Sequence, residues 1–172
     1  IFVVYVDNCL CIEPSPARLN CLVKEINGTG LNVEDQGHPA DYIGVNIRKD
    51  DKGYYHFSQL ALIDAIIDDV GLTHSRKLKQ VPAKVSLHLD AFQNSPAFNE
   101  WFGFRSAVGK INYLAQTTRP DILFAVHQIA KYSHDPRKEH GEAIIYLVMY
   151  LKGTWHSGLR FKPDRTKGFE DY

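Results

Sequence analysis

The 172-residue chain has no apolar run near the roughly 18 to 20 residues that span a bilayer, and no basic-then-apolar leader opens it. Neither a membrane helix nor a secretory signal is expected. Cysteine is scarce: Cys9, Cys11 and Cys21 form an odd set of three. Cys9 and Cys11 alternate onto one face of a single strand, and no second Cys or His pair completes a zinc pattern. Reduced thiols in an intracellular compartment are the expectation. Internal repeats and low-complexity segments are also missing, which excludes a solenoid or an array. An excess of one charge is absent too, the formal net charge being +0. The signs are unevenly spread, however. Residues 1–100 hold 9 Lys/Arg against 13 Asp/Glu, and residues 101–172 hold 11 against 7. A basic second half suits phosphates, although most such charges solvate a surface.

What is present is apolar material, 44% of the residues, enough for one sizeable core or two small ones. The chain opens on Phe2-Val3-Val4-Tyr5-Val6-Asp7-Asn8-Cys9-Leu10-Cys11-Ile12, two apolar runs about an Asp-Asn pair. At the tip of a tight hairpin such a pair presents a carboxylate from a rigid sheet, fit to hold a metal. It is equally ordinary turn chemistry, and both readings stay open at this point. Because the chain begins inside a hydrophobic strand and stops soon after a lone strand at 158–161, both boundaries are expected to be cuts through a larger protein.

Ser15-Pro16 gives an N-cap and a first-turn proline to a helix with Leu19, Leu22, Val23 and Ile26 on one face, stopped at Asn27-Gly28. Residues 31–34 form a strand candidate. Residues 42–48 and 54–57, joined through Asp50-Asp51-Lys52-Gly53, form a second hairpin in which Gly44 marks a bulge or a close approach. Ser58 is expected to cap a helix with the stripe Leu62, Ile63, Ile66, Ile67 and Val70, ending at Gly71. Residues 73–100, with Pro82 and Pro96, read as a long connection with one short strand and as the domain boundary. Three helices follow. The first carries Phe104, Val108, Ile111, Leu114 and Ala115 and breaks at Arg119-Pro120. The second carries Ile122, Val126, Ile129 and Tyr132. The third starts at Asp135-Pro136 and turns Ala143, Ile144, Leu147 and Leu151 inward until Gly153.

The order of these segments resembles the reverse transcriptase of copia-type LTR retrotransposons over about residues 2–161. Tyr5-Val6-Asp7-Asn8 is similar to the polymerase Tyr-x-Asp-Asp motif. Asp35-x-Gly37 with Tyr42-Ile43-Gly44-Val45-x-Ile47 resembles Asp-x-Gly and Phe-Leu-Gly-Ile-x-Ile, and Phe57-Ser58-Gln59 resembles Leu-Ser-Gln. Arg105-Ser106-x-Val108-Gly109-x-Ile111-x-Tyr113-Leu114-Ala115 follows. Thr118-Arg119-Pro120-Asp121-Ile122 and Tyr150-Leu151-Lys152-Gly153-Thr154, with Gly158-Leu159, complete the set in family order and are the most specific parts.

The resemblance implies an α+β fold: a partial polymerase palm of antiparallel hairpins and a helix, then a mostly helical thumb and connection. Residues 1–72 would hold the second half of the palm, a primer-grip-like hairpin and the first thumb helix. Residues 73–100 would connect them to a helical part at 101–172, leading toward an absent RNase H domain. Nucleotide addition uses two divalent ions about 4 Å apart, each wanting carboxylate oxygens. The resemblance makes Asp7 a Mg²⁺ or Mn²⁺ ligand in the intact parent and Asn8 a substituted catalytic position that brings no charge. The family's other essential ligand lies on a strand preceding residue 1, so this chain alone is expected not to polymerise DNA and to bind no ion securely. Tyr5, Tyr42, Ile43, Gly44, Val45, Lys131 and Lys152 are the nucleic-acid-binding candidates. Arg137, Lys138, Arg160 and Lys162 are further cations that could follow a backbone. The implied partners are an RNA/DNA template-primer and the remainder of the Pol polyprotein, in a cytoplasmic particle and the nucleus, with no membrane. The rival reading is a non-catalytic nucleic-acid-binding or inert relic of a transposable element. Arg119 and Asp121 read as a capping and salt-bridge pair, and His140, Trp155 and His156 as packing and surface residues.

Overall fold

The computed structural model describes residues 2–6, 8–13, 15–84, 89–92, 94–99 and 101–164. The fold is mixed α+β, with five α-helices and small antiparallel sheets among these residues. Two compact units divide at Ile1–Ile43 and Gly44–Tyr172.

In the first unit β1 (Phe2–Tyr5) pairs antiparallel with β2 (Asn8–Cys11), placing Tyr5 opposite Asn8 and Val4 opposite Cys9. The hairpin therefore closes between Tyr5 and Asn8. Asn8 is the first strand residue and not half of an Asp-Asn tip, and Val6 at the tip takes a φ of 53°. Helix α1 (Pro16–Gly28) starts where the proline directs it: Ser15 Oγ accepts from the Arg18 N–H at 3.5 Å. Leu19, Leu22, Val23 and Ile26 are its half-covered positions, so the apolar periodicity is real, but no residue of the helix is fully buried. The strand expected at 31–34 does not form. The Asn27 side chain instead takes both backbone groups of Val33, accepting its N–H at 2.7 Å and donating to its C=O at 3.0 Å. An amide side chain thus occupies the groups a neighbouring strand would need. The short strand β3 (Asp41–Tyr42) ends the unit.

In the second unit β4 (Val45–Lys49) pairs with β5 (Tyr55–Ser58) across the Asp50–Gly53 turn, whose Gly53 has φ 81°. Gly44 precedes β4 with φ 73°, so the turn into the strand explains the glycine, in place of the expected bulge or close approach. The strand β6 (Leu159–Phe161) expected to lack a partner lies antiparallel on β5, with His56 opposite Arg160 and Phe57 opposite Leu159. Gly158 permits that approach: a Cβ there would stand 2.1 Å from the Phe57 carbonyl oxygen.

Helix α2 (Leu60–Asp69) is preceded by Gln59, not by a capping Ser58, which is the last residue of β5. Asn46 Oδ1, on the neighbouring strand, receives the Leu60 N–H at 3.4 Å. Gly71, at φ 70°, ends the helix as its position suggested, and the Leu72 N–H reaches back to Ile67 O at 2.9 Å. Residues 73–100 contain no strand among those described, only a bridge between Ala97 and Arg137. They do not separate two cores. Ile63 and Ile66 of α2 and Val70 at its C-cap share one core with Ile111 and Leu114 of α3 (Phe104–Thr117), Ile129 of α4 (Leu123–Ala130) and Ile144, Leu147 and Leu151 of α5 (Lys138–Gly153). These nine side chains are at most 1% exposed. A 3₁₀ turn at Pro120–Ile122 joins α3 to α4, as Pro120 dictates. Helix α5 begins after Arg137, two residues later than Asp135-Pro136 suggested, because the His140 ring takes the Arg137 N–H on Nδ1 at 2.8 Å.

Candidate nucleic-acid interface

Alternation along β4 and β5 sends Val45, Ile47 and Phe57 to one face and Asn46, Arg48, His56 and Ser58 to the other. The register then lines up Arg48, His56 and Arg160 across three neighbouring strands. At strand spacings of about 4.8 Å, this row runs roughly 10 Å. Arg48 and Arg160 are both cations, and an anion beside the row offsets their charge. Asp50 supplies one at the turn. Its Oδ2 accepts from His56 Nε2 at 2.9 Å and lies 3.5 Å from Arg160, and its Oδ1 takes the N–H groups of Lys52 and Tyr54. The His56 hydrogen bond, then that of Tyr54, holds the Asp50 carboxyl down at about 2 against a small opposing effect of burial. Arg160 lies 3.8 Å over the Tyr54 ring and Lys162 lies 5.2 Å from the same ring. Arg48 and Arg160 are exposed. Arg48, Arg160 and Lys162, arranged about Asp50, make this face suited to phosphate oxygens.

A second polar cluster joins three of the sequence signatures inside the unit. Arg119, 2% exposed, donates through Nε and Nη2 to both oxygens of Asp121 at 2.9 and 2.8 Å. The same guanidinium donates to Thr154 O at 3.1 Å and Thr154 Oγ1 at 2.7 Å. Tyr150 donates its hydroxyl to Asp121 at 2.8 Å. Thr118 donates to Gln59 Oε1 at 3.0 Å, and both side chains are buried. Burial pushes the Asp121 carboxyl up, but the hydrogen bonds from Arg119 and Tyr150 outweigh it and hold the group below its ordinary value. Burial, then the bond to Asp121, raises the Tyr150 phenol. The salt bridge read from the sequence is present, and its role is wider than capping. It fastens the α3–α4 junction to the end of α5, which feeds β6, and the neighbouring Thr118–Gln59 bond ties the same junction to the start of α2.

The candidates from the sequence are scattered. Asp7 lies outside the described residues. Asn8 sits opposite exposed Tyr5 in β1–β2. Tyr42 is half-buried, its hydroxyl shielded and without a hydrogen bond among the described residues. Ile43 takes a φ of 53°, a costly one for a β-branched residue, just before Gly44. Val45 opens β4 on its apolar face. Lys131 donates to Gln128 Oε1 at 2.7 Å. Lys152 directs its ammonium to the carbonyls of Leu72, Thr73 and Ser75 at 2.7, 2.6 and 2.8 Å, which accounts for all three of its donors. Arg137 pairs with Asp135 and Lys138 with Glu142. Of the cations named, Arg160 and Lys162 alone join the exposed row. Its other members, Arg48 and His56, were missed. Their signal was their alternation with Val45, Ile47 and Phe57 about the Asp50 turn.

His140 is a packing residue: it is fully buried, stacked on Tyr132 at 4.2 Å, with Nε2 2.8 Å from Asp90 O. Among the described residues no group of three or more His, Cys, Asp or Glu side chains gathers to hold an ion. In the described part of the hairpin Asn8 offers a neutral amide oxygen, which brings no charge to a cation.

No protein-family model matches the chain, and no solved structure matches it. It is 28% identical over 156 residues to an uncharacterized mitochondrial protein of Arabidopsis thaliana, AtMg00810, covering 91% of this chain and 62% of that one. It is 27% identical over 172 residues to the retrovirus-related Pol polyprotein from transposon RE1 of the same plant, covering 98% of the chain and 11% of the polyprotein. With the Pol polyprotein from transposon TNT 1-94 of Nicotiana tabacum, identity is 26% over 181 residues, 99% of the chain and 13% of the relative. The chain thus spans less than two thirds of these curated relatives, and of the two polyproteins only about an eighth. Its homologues are retrotransposon Pol polyproteins, so the chain is a transposon Pol-derived protein.

Proposed function

We propose that the chain corresponds to the reverse-transcriptase part of a Pol polyprotein and that its own property is to hold a nucleic-acid backbone on the polar face of β4, β5 and β6. The observation that carries the binding is the aligned row of exposed Arg48, half-buried His56 and exposed Arg160, with Lys162 beside it. The reverse-transcriptase assignment is supported by the order of the segments from Tyr5-Val6-Asp7-Asn8 to Gly158-Leu159 within a stretch similar to Pol polyproteins over 98–99% of the chain.

In this reading β1 and β2 are the palm hairpin, with Asp7 the Mg²⁺ ligand of the parent and Asn8 the substituted position. The β4–β5 hairpin is the primer grip, α2 the first thumb helix, and α3 to α5 the thumb and connection. The partners are an RNA/DNA template-primer and the rest of Pol. A neutral amide in place of the second carboxylate weakens charge stabilisation where it matters most, so the chain binds without polymerising.

The test is fluorescence anisotropy with a labelled RNA/DNA hybrid across a salt series. Affinity should fall with salt, and Arg48→Ala and Arg160→Ala should each lower the logarithmic slope by about 1. No binding at low salt, or slopes unmoved by both variants, would remove the interface and leave an inert relic. Primer extension with Mg²⁺ or Mn²⁺ should stay at background; incorporation above it would overturn the inactive reading.

A further inference from the structure

We propose that protonation of His56 tightens the hold of the β4–β5–β6 face on a nucleic-acid backbone, so that binding there responds to pH near neutrality; this rests on the interface proposed above. His56 is the middle member of the row, opposite Arg48 on β4 and Arg160 on β6. Histidine is the side chain whose charge ordinarily changes between pH 5 and 8. Its neighbours do not change charge there: arginine and lysine side chains stay cationic across that range. Asp50, held down at about 2 by the hydrogen bonds from His56 and Tyr54, stays anionic.

The geometry makes that one proton count. Asp50 Oδ2 lies 2.9 Å from His56 Nε2 and 3.5 Å from Arg160, so one carboxylate oxygen serves both the histidine and a phosphate-binding cation. A neutral imidazole satisfies the carboxylate with a hydrogen bond but leaves its negative charge standing beside the row, where it holds Arg160 and repels a phosphate. An imidazolium makes the same bond and offsets that charge, which releases Arg160 to the phosphate oxygens. The pair is near enough to solvent to act on a ligand and to exchange protons, the His56 and Asp50 side chains being 30% and 20% exposed. The charged and titratable groups on this face come from every strand about the ring: Arg48 from β4, Asp50 from the turn, Tyr54 just before β5, and Arg160 and Lys162 from β6 and just beyond it. Arg48, Arg160 and Lys162 oppose a positive ring and Asp50 favours it. A bound phosphate adds a second anion and shifts that balance toward the imidazolium, so proton and nucleic acid each favour the binding of the other.

The experiment measures the affinity of the chain for a labelled RNA/DNA hybrid by fluorescence anisotropy at constant ionic strength, at about pH 8, 7 and 6. Affinity should rise about two- to fivefold from the first to the last, the scale of one partly exposed charge pair. The His56 ring, followed by NMR, should take up its proton at a higher pH with the hybrid bound than without it. His56→Gln keeps a donor for Asp50 but cannot take up the proton, and should flatten the profile. Arg48→Ala should weaken binding at every pH and keep the rise on acidification. Equal affinity across the range, or a rise that survives His56→Gln, would overturn the proton linkage while the interface itself stands. Absence of binding at every pH would overturn the interface and the linkage with it, so the two failures are distinct.

Discussion

Replacing Asp121 by Asn tests the buried cluster directly. The carboxylate accepts three hydrogen bonds, two from Arg119 and one from Tyr150, while Arg119 itself is 2% exposed. An amide keeps the shape, removes the charge and replaces one acceptor with a donor facing other donors. Stranding one partner of a fully buried ion pair costs about 3–5 kcal/mol. Asp121 is 40% exposed, so water already reaches its side of the pair, and Arg119 keeps both bonds to Thr154. A loss of about 2 kcal/mol is therefore expected, or about 4–8 °C in melting temperature for a chain of this size. Urea unfolding followed by circular dichroism measures it. The pH dependence supplies a sign. Asp121 has a lowered carboxyl pKa in the folded state, so its contribution is present above the ordinary carboxylate value of 3.8 and disappears as pH falls through the lower one. The gap between native chain and variant should be wide at pH 7 and narrow below about pH 4. An unchanged midpoint at pH 7, or a gap of the same size at pH 3, would refute the reasoning.

Three other substitutions or titrations probe separate parts of the second unit. Gly158→Ala should destabilise it by about 1–3 kcal/mol, because the new methyl meets the Phe57 carbonyl, a backbone atom that cannot swing aside, and hydrogen exchange should rise in β5 and β6. Lys152→Met should free the segment at Leu72–Ser75, seen as faster proteolysis there and a loss of about 1–2 kcal/mol, with affinity for an RNA/DNA hybrid unchanged. Asp50 should titrate with a midpoint near 2 by NMR of its carboxyl carbon; its contribution to the turn is complete above about pH 4 and lost as pH drops toward 2, and His56→Ala should raise the midpoint. A midpoint unmoved in that variant would deny the histidine its part.

Much of the helical layer was legible because periodicity is a local property. Ile63, Ile66, Ile67 and Val70 in α2, and Ile111, Leu114, Ile144, Leu147 and Leu151 further on, were read as inward stripes, and all are buried. Ser15-Pro16, Gly28 and Gly71 marked helix ends for stereochemical reasons that need no partner. The misreadings share a cause. Val33 looked like strand material until the Asn27 side chain took its backbone groups, and Ser58 looked like a cap until strand pairing claimed it. Lys152 looked like a cation open to a nucleic-acid backbone, yet its partners lie 77 to 80 residues earlier in the chain.

By itself the sequence determined the helix ends at Ser15-Pro16, Gly28 and Gly71, the inward faces and the similarity in segment order to Pol polyproteins. Those follow from backbone geometry, side-chain spacing and motif identity, all contained within short windows. Only the tertiary structure decided that β6 completes the sheet of β4 and β5, that Arg48, His56 and Arg160 stand in one row, and that Thr118 meets Gln59 and Arg119 meets Thr154 through bonds spanning 59 and 35 residues. Contacts between distant segments leave no period in the chain, because they depend on which buried faces pack together and what that packing brings within reach.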